Sequence, residues 1–185
     1  MPVELEAKIP VTHHDAVRAA LKQANADYIG RVLETNHLLD RADCSLRDAG
    51  CGLRVRKVQA LDGHAGGATM TFKGPKQAGA FKKREEHETT LDDPDAALAI
   101  LRGLGHTREL IFEKRRETWR LGDCVIELDE VPLLGHFVEV EGPSTEAIQT
   151  VLEALQLDAG ESVSESYVGM LAARAPGETN PQFRF

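Results

Sequence analysis

The chain has 185 residues, enough for one domain with a sizeable core. A formal net charge of −8 argues against a broad nucleic-acid-binding face, and no apolar run reaches the length of a bilayer span. Cys44, Cys51 and Cys124 form no CxxC pair and read as reduced thiols, and the charged start MPVELEAKIP has no signal-peptide character, so a cytoplasmic protein is expected.

Strand patterns occur near residues 3–9, 28–38, 52–59, 68–73, 83–90, 109–121, 124–131 and 137–141. Helix patterns fall between them. The first covers about residues 13–26, with Thr12 as its cap and Val17, Ala20, Leu21 and Ala24 on one face. A second begins after Asp93-Pro94 and ends at Gly103. A third starts at Ser144 and carries Ile148, Val151, Leu152 and Leu155. A short fourth covers about residues 164–174. Residues 63–67 (GHAGG), Gly122-Asp123 and Leu134-Gly135 read as turns. Residues 1–174 are expected to form one domain, and residues 175–185 (APGETNPQFRF) a flexible tail.

Alternate residues of a strand point to opposite faces. Glu4, Glu6 and Lys8 share a face; so do Arg54 and Arg56, Thr69, Thr71 and Lys73, Arg84, Glu86 and Glu88, Lys114 and Arg116, Glu127 and Asp129, and Glu139 and Glu141. For one strand, the plain reading is a charged face in water over an apolar core face. Eight strands are enough to close a barrel, however, and the amphipathic helices need apolar surface to cover. If the apolar strand faces lie under the helices, the charged faces point inward. The expectation is therefore an α+β fold: an eight-stranded antiparallel β-barrel, or tunnel, with a charged lumen and amphipathic helices packed outside. Charges of both signs in a lumen must pair or bind something. Carboxylates suit Mg²⁺ or Mn²⁺, and Lys and Arg suit phosphate oxygens.

Glu4-Leu5-Glu6-Ala7-Lys8 resembles the N-terminal ExExK motif of the CYTH domains, or triphosphate tunnel metalloenzymes. That family includes class IV adenylate cyclases, thiamine triphosphatases and inorganic triphosphatases. Further motifs follow in order: Leu53-Arg54-Val55-Arg56 (LRxR), Thr71-Phe72-Lys73-Gly74-Pro75 (TxKGP), Arg84-Glu85-Glu86-His87-Glu88 (RxExE) and Lys114-Arg115-Arg116 (KxR). Leu128-Asp129-Glu130-Val131, Leu134-Gly135 and Val138-Glu139-Val140-Glu141 resemble the closing hairpin, and Ser166-Tyr167 the terminal SY of cyclase-named members. One departure is His37-Leu38-Leu39-Asp40, where many relatives carry an aromatic before the aspartate.

The resemblance implies a catalytic set of Glu4, Glu6, Lys8, Glu139 and Glu141. It implies metal ligation by Glu4, Glu6, Glu139 and Glu141, joined by Asp129 and with Glu127 as a further candidate. Lys8, Arg54, Arg56, Lys73, Arg84, Lys114 and Arg116 would hold a triphosphate, and Glu86 and Glu88 would orient basic residues or assist a metal. The implied cofactor is Mg²⁺ or Mn²⁺. The implied partner is inorganic triphosphate, ATP or thiamine triphosphate, with no nucleic acid and no membrane, in a monomer or homodimer. Hydrolysis of a triphosphate is the leading expectation and cyclic AMP formation from ATP the alternative. A non-catalytic polyphosphate or nucleotide binder and a structural barrel with internally paired charges also stay open. His87 is expected to face away from the lumen, and Trp119 to pack under a helix.

Overall fold

The structure, a computed structural model, describes residues 5–62, 66–75 and 85–185. Glu4, Arg84 and the centre of the 63–67 turn lie outside the described residues. The elements in chain order are β1 (Leu5–Val11), α1 (Asp15–Gln23), β2 (Asp27–Asp40), α2 (Ser45–Asp48), β3 (Gly52–Ala60), β4 (Gly67–Lys73), β5 (Glu86–Thr90), α3 (Pro94–Gly103), β6 (Arg108–Leu121), β7 (Cys124–Val131), β8 (Gly135–Gly142), α4 (Thr145–Ala154), a 3-10 turn (Ala159–Glu161), α5 (Tyr167–Ala172) and β9 (Gln182–Phe183).

One large sheet runs in the order β1-β8-β7-β6-β2-β3-β4-β5, with every pair on this path antiparallel. The fold is therefore α+β around a large antiparallel sheet. The expected closure into an eight-stranded barrel is not made by the described ladders. β1 and β5 are the two ends of the path. β5 is only five residues long and pairs with β4 alone among the described residues.

The alternation sends apolar side chains to the helix-covered face, as expected. Ile9, Ile126, Leu128, Val138 and Val140 pack with Val17 and Leu21 of α1 and with Ile148, Val151 and Leu152 of α4. Each such buried side chain contributes roughly 1.5–3 kcal/mol relative to exposure. Trp119 lies in the same core. Gly142 leaves room for α4 to sit close, since a Cβ there would lie 2.7 Å from Cys124 Sγ and 3.0 Å from Ile148 Cγ1. On the other half of the sheet, Leu98 of α3 packs on Leu39, Leu53 and Val55. The caps of α3 and α4 are those read from sequence: Asp93 accepts from Ala96 N at 2.9 Å, and Ser144 accepts from Ala147 N at 3.2 Å. Thr12 does not cap α1, whose cap position is His14, with no side-chain bond.

Two expectations are corrected at the C-terminal end. α5 does not pack outside with the other helices. Its Tyr167 and Leu171 join Phe112, Val131 and Phe137, residues in phase with Lys114, Asp129 and Glu139, so the helix covers one end of the charged face. Nor is the segment after residue 174 a loose tail. β9 pairs in parallel with Ile111 and Phe112 of β6, on the stretch of that strand which β7 leaves open by pairing only from Arg115 onward. Phe183 is buried in the same cluster, and Arg184 pairs with Glu113 at 3.1 Å.

Candidate functional site

The face opposite α1, α3 and α4 carries a continuous set of charges drawn from all eight strands of the path. Register places them in rows. Across β1, β8 and β7, Glu6 stands opposite Glu141, Lys8 opposite Glu139, and Glu139 opposite Glu127. Across β7 and β6, Asp129 stands opposite Arg116. Beyond β6, Lys114 stands opposite Glu34, and Asn36 opposite Arg56. Arg54, Thr71 and Glu88 make one further row, and Lys73 and Glu86 another.

Glu6, Lys8, Glu139, Arg116, Glu127, Asp129, Lys114, Glu34 and Arg56 form a connected ion network. Arg116 is its hub, pairing with Glu127, with both oxygens of Asp129 and with Glu139 Oε2. Lys114 Nζ lies 3.2 Å from Asp129 Oδ2 and 3.4 Å from Glu34 Oε2, and Arg56 Nη1 lies 3.2 Å from Glu34 Oε1. Lys8 Nζ lies 3.4 Å from Glu139 and 3.8 Å from Glu6, and donates to the Glu165 carbonyl at 3.1 Å. Farther along, Thr71 donates to Glu88 at 2.6 Å and accepts from Arg54 at 3.3 Å, while Lys73 pairs with Glu86 at 2.8 Å.

The sheet curls around this network. The Tyr167 ring centroid is 4.4 Å from Lys8 Nζ and 5.5 Å from Lys114 Nζ, although β1 and β6 are separated by β8 and β7. Its hydroxyl donates to Asp129 Oδ2 at 3.0 Å. Depth follows position along the strands. The Glu6 side chain is 48% exposed, Glu127 22%, and Asp129, toward the α5 end, 0%.

Charge is uneven over the face, and proton affinities record it. Burial, then Glu139, pushes the Glu6 carboxyl above its ordinary value. Burial lifts Glu127 to about 7, despite Arg116 and Lys114. Glu34 behaves in the opposite way: burial opposes its ionisation, but Lys114, Arg116 and Arg56 bring it down to about 2. Burial opposes the ionisation of Asp129 too, but Lys114 and Arg116 outweigh it and hold the carboxyl well below the usual carboxylate range. Burial and the neighbouring Arg56 depress the Arg54 guanidinium, whose Nε is buried without a hydrogen-bond partner. The β1–β8–β7 wall therefore carries an excess of carboxylates over its one named cation, Lys8, whereas the β3 wall holds a cation with unused bonding capacity.

The structure brings together Glu6, Lys8, Lys114, Arg116, Glu127, Asp129 and Glu139, and places Glu141 directly opposite Glu6 on the same face. Arg54, Arg56, Lys73, Glu86 and Glu88 stand on the same face farther along the sheet. Among the described residues, no three metal-ligating side chains converge as a preformed cation site. His87 stands opposite Phe72, off the charged face, and pairs with Glu85 at 2.9 Å. Glu34, Asn36 and Tyr167 are additions to the set read from sequence. The period-2 phase of β2 could have supplied the first two.

The sequence profile of the CYTH domain matches residues 2–167. A Methanocaldococcus jannaschii protein provisionally named an adenylate cyclase is 25% identical over 175 residues, covering 90% of this chain and 97% of the relative. Among solved structures, a provisionally named adenylate cyclase of Vibrio parahaemolyticus aligns with a TM-score of 0.76 at 23% identity, covering 92% of this chain and 98% of that one. A Hippeastrum protein provisionally named an adenylyl cyclase, and described as having a dominant triphosphatase activity, aligns with a TM-score of 0.68 at 17% identity, covering 94% of this chain and 96% of that one.

Proposed function

The chain belongs to the CYTH domain family, and from that premise we propose that it is a divalent-metal-dependent enzyme that hydrolyses a triphosphate. The observation that carries this reading is the division of charge on the curled face. Like charges directly opposed across strands are destabilising, yet Glu6 faces Glu141 and Glu139 faces Glu127. Carboxylates arranged so, two of them with raised proton affinity, fit a hard dication. Glu6, Glu139 and Glu141 would hold it together with Glu4, with Asp129 and Glu127 as further ligands. When bound, Mg²⁺ or Mn²⁺ supplies Lewis-acid neutralisation of phosphate charge.

The chain's own residues do the rest. Lys8, Lys114, Arg116, Arg54, Arg56 and Lys73, with Arg84 of the family motif, bind phosphate oxygens and hold the triphosphate for in-line attack. Glu34 and Asp129 keep Lys114 and Arg116 in place, as Glu86 keeps Lys73 and Glu88 keeps Arg54. Water attacks the terminal phosphorus, the bridging P–O bond breaks, and the cations stabilise the charge left on the departing diphosphate. Removing one such contact commonly costs on the order of 10²-fold in rate. The proton of the attacking water passes to solvent.

The names of the relatives favour a second reading, in which a ribose hydroxyl attacks the α-phosphorus of ATP. A product assay separates the two. Purified protein is given ATP, inorganic triphosphate and thiamine triphosphate, each with Mg²⁺ or Mn²⁺, and orthophosphate, pyrophosphate and cyclic AMP are measured separately. Orthophosphate from inorganic triphosphate supports the hydrolase. Cyclic AMP with matching pyrophosphate overturns it in favour of the cyclase. No turnover, with equal triphosphate affinity in the presence and absence of metal, would leave a binding module.

A further inference from the structure

Tyr167 presents its ring face to two cations of the charged network and its hydroxyl to a carboxylate of it, so its contacts are of two kinds. The hydroxyl donates to Asp129 Oδ2 at 3.0 Å, on the carboxylate that also takes Arg116 and Lys114. The ring face meets two ammonium groups, Lys8 Nζ at 4.4 Å and Lys114 Nζ at 5.5 Å from the centroid. A buried cation beside a ring face is attracted by the ring quadrupole, and the attraction strengthens as water is removed. The ring itself is fixed: it meets Phe137 edge-on at 5.1 Å, and it starts α5, which Ser166 caps by accepting from Gly169 N at 3.2 Å.

Lys8 needs such support. A lysine side chain has several rotors and loses much entropy when held in one place. Its polar partners are Glu139 at 3.4 Å, Glu6 at 3.8 Å and the Glu165 carbonyl at 3.1 Å. Two of these three are carboxylates the proposed function gives to a metal ion, and occupation by the ion would loosen their hold on the lysine. The ring face and the Glu165 carbonyl would remain, both supplied by the segment that leads into and begins α5.

We propose that Tyr167 is a positioning residue, its ring holding the Lys8 and Lys114 ammonium groups toward the lumen and its hydroxyl holding Asp129 as their counter-charge. This rests on the reading that the two lysines bind the triphosphate. The side chain touches no substrate atom; it acts through the cations. The device is also independent of which bond is broken, because hydrolase and cyclase would use the same lysine pair.

The test uses full-length protein, inorganic triphosphate as probe, calorimetric affinity with and without Mg²⁺, steady-state KM and kcat on whichever triphosphate is turned over, and Tm. Tyr167→Leu removes ring and hydroxyl and should weaken triphosphate affinity, and raise KM, on the order of tenfold. Tyr167→Phe keeps the ring and should recover most of that loss. Leu171→Ala cuts into the same cluster one turn later, and it should lower Tm while leaving affinity and KM near wild type. Lys8→Met tests the underlying reading. If Lys8→Met leaves affinity and KM unchanged, the phosphate site itself is misassigned. If Lys8→Met weakens binding but Tyr167→Leu does not, or if Leu171→Ala raises KM as much as Tyr167→Leu, Tyr167 is only a packing residue and the proposal fails.

Discussion

Replacing Lys114 by methionine would remove one buried charge from the centre of the network while keeping side-chain length. Its ammonium sits 3.4 Å from Glu34 and 3.2 Å from Asp129, and all three side chains are almost fully buried. Glu34 titrates at about 2 rather than 4.5, a shift worth about 3 kcal/mol in favour of its ionised form. Burial opposes that shift, and Lys114 leads the three cations that overcome it. Lys114 also leads the cations that hold Asp129 below its ordinary value. Removing one partner of a buried pair typically costs about 3–5 kcal/mol. Urea unfolding at about pH 7 should therefore show K114M less stable than wild type by about 3 kcal/mol. The sign with pH follows from the depressed carboxyl. Its contribution is complete above the ordinary value of 4.5 and is lost as pH falls through about 2. In K114M the carboxyl moves back toward 4.5, so the penalty should be full near neutrality and shrink on acidification below about pH 4. A variant as stable as wild type at neutrality, or a penalty that does not shrink in acid, would refute the account.

Glu127→Gln should act in the opposite direction. A carboxyl raised to about 7 contributes stability that is present below 4.5 and lost as pH rises through 7; metal-free E127Q should gain Tm over wild type between pH 5.5 and 8, and a constant difference would exclude this titration. Glu6→Gln should cut kcat by at least on the order of 10²-fold while leaving Tm nearly unchanged; full activity would remove Glu6 from the proposed metal set. Phe183→Ala should lower unfolding stability by about 3 kcal/mol, as expected for a buried Phe truncated to Ala. A loss below measurement would mean that the C-terminal strand does not hold.

Most of the charged face is legible in the sequence because its residues keep strict alternation. Glu6 and Lys8, Arg54 and Arg56, Lys114 and Arg116, Glu127 and Asp129, and Glu139 with Glu141 each fall two apart within a strand, and all lie on the face expected for them. Glu34 and Asn36 are harder to see because the same face of β2 also carries Val32 and Leu38, which breaks the run of charges. Tyr167 belongs to a recognisable motif, yet its place on the charged face is hidden. The stripe of Tyr167 and Leu171 says that α5 is amphipathic, not which face of a sheet it covers. β9 has two residues, too short for any period to show, and it exists because β7 leaves part of β6 unpaired.

Local chemistry alone thus determined the strands, the caps at Asp93 and Ser144, the helix stripes and the sorting of charged from apolar faces, because a period of two or 3.6 is written into consecutive residues. Pairing between distant segments decided everything else. Tertiary structure set which carboxylates oppose each other, why Glu34 titrates at about 2 and Glu127 at about 7, and that the last elements cover one end of the charged face. Those properties depend on distances across strands up to more than a hundred residues apart in the chain, and on water excluded by their packing, neither of which a stretch of sequence contains.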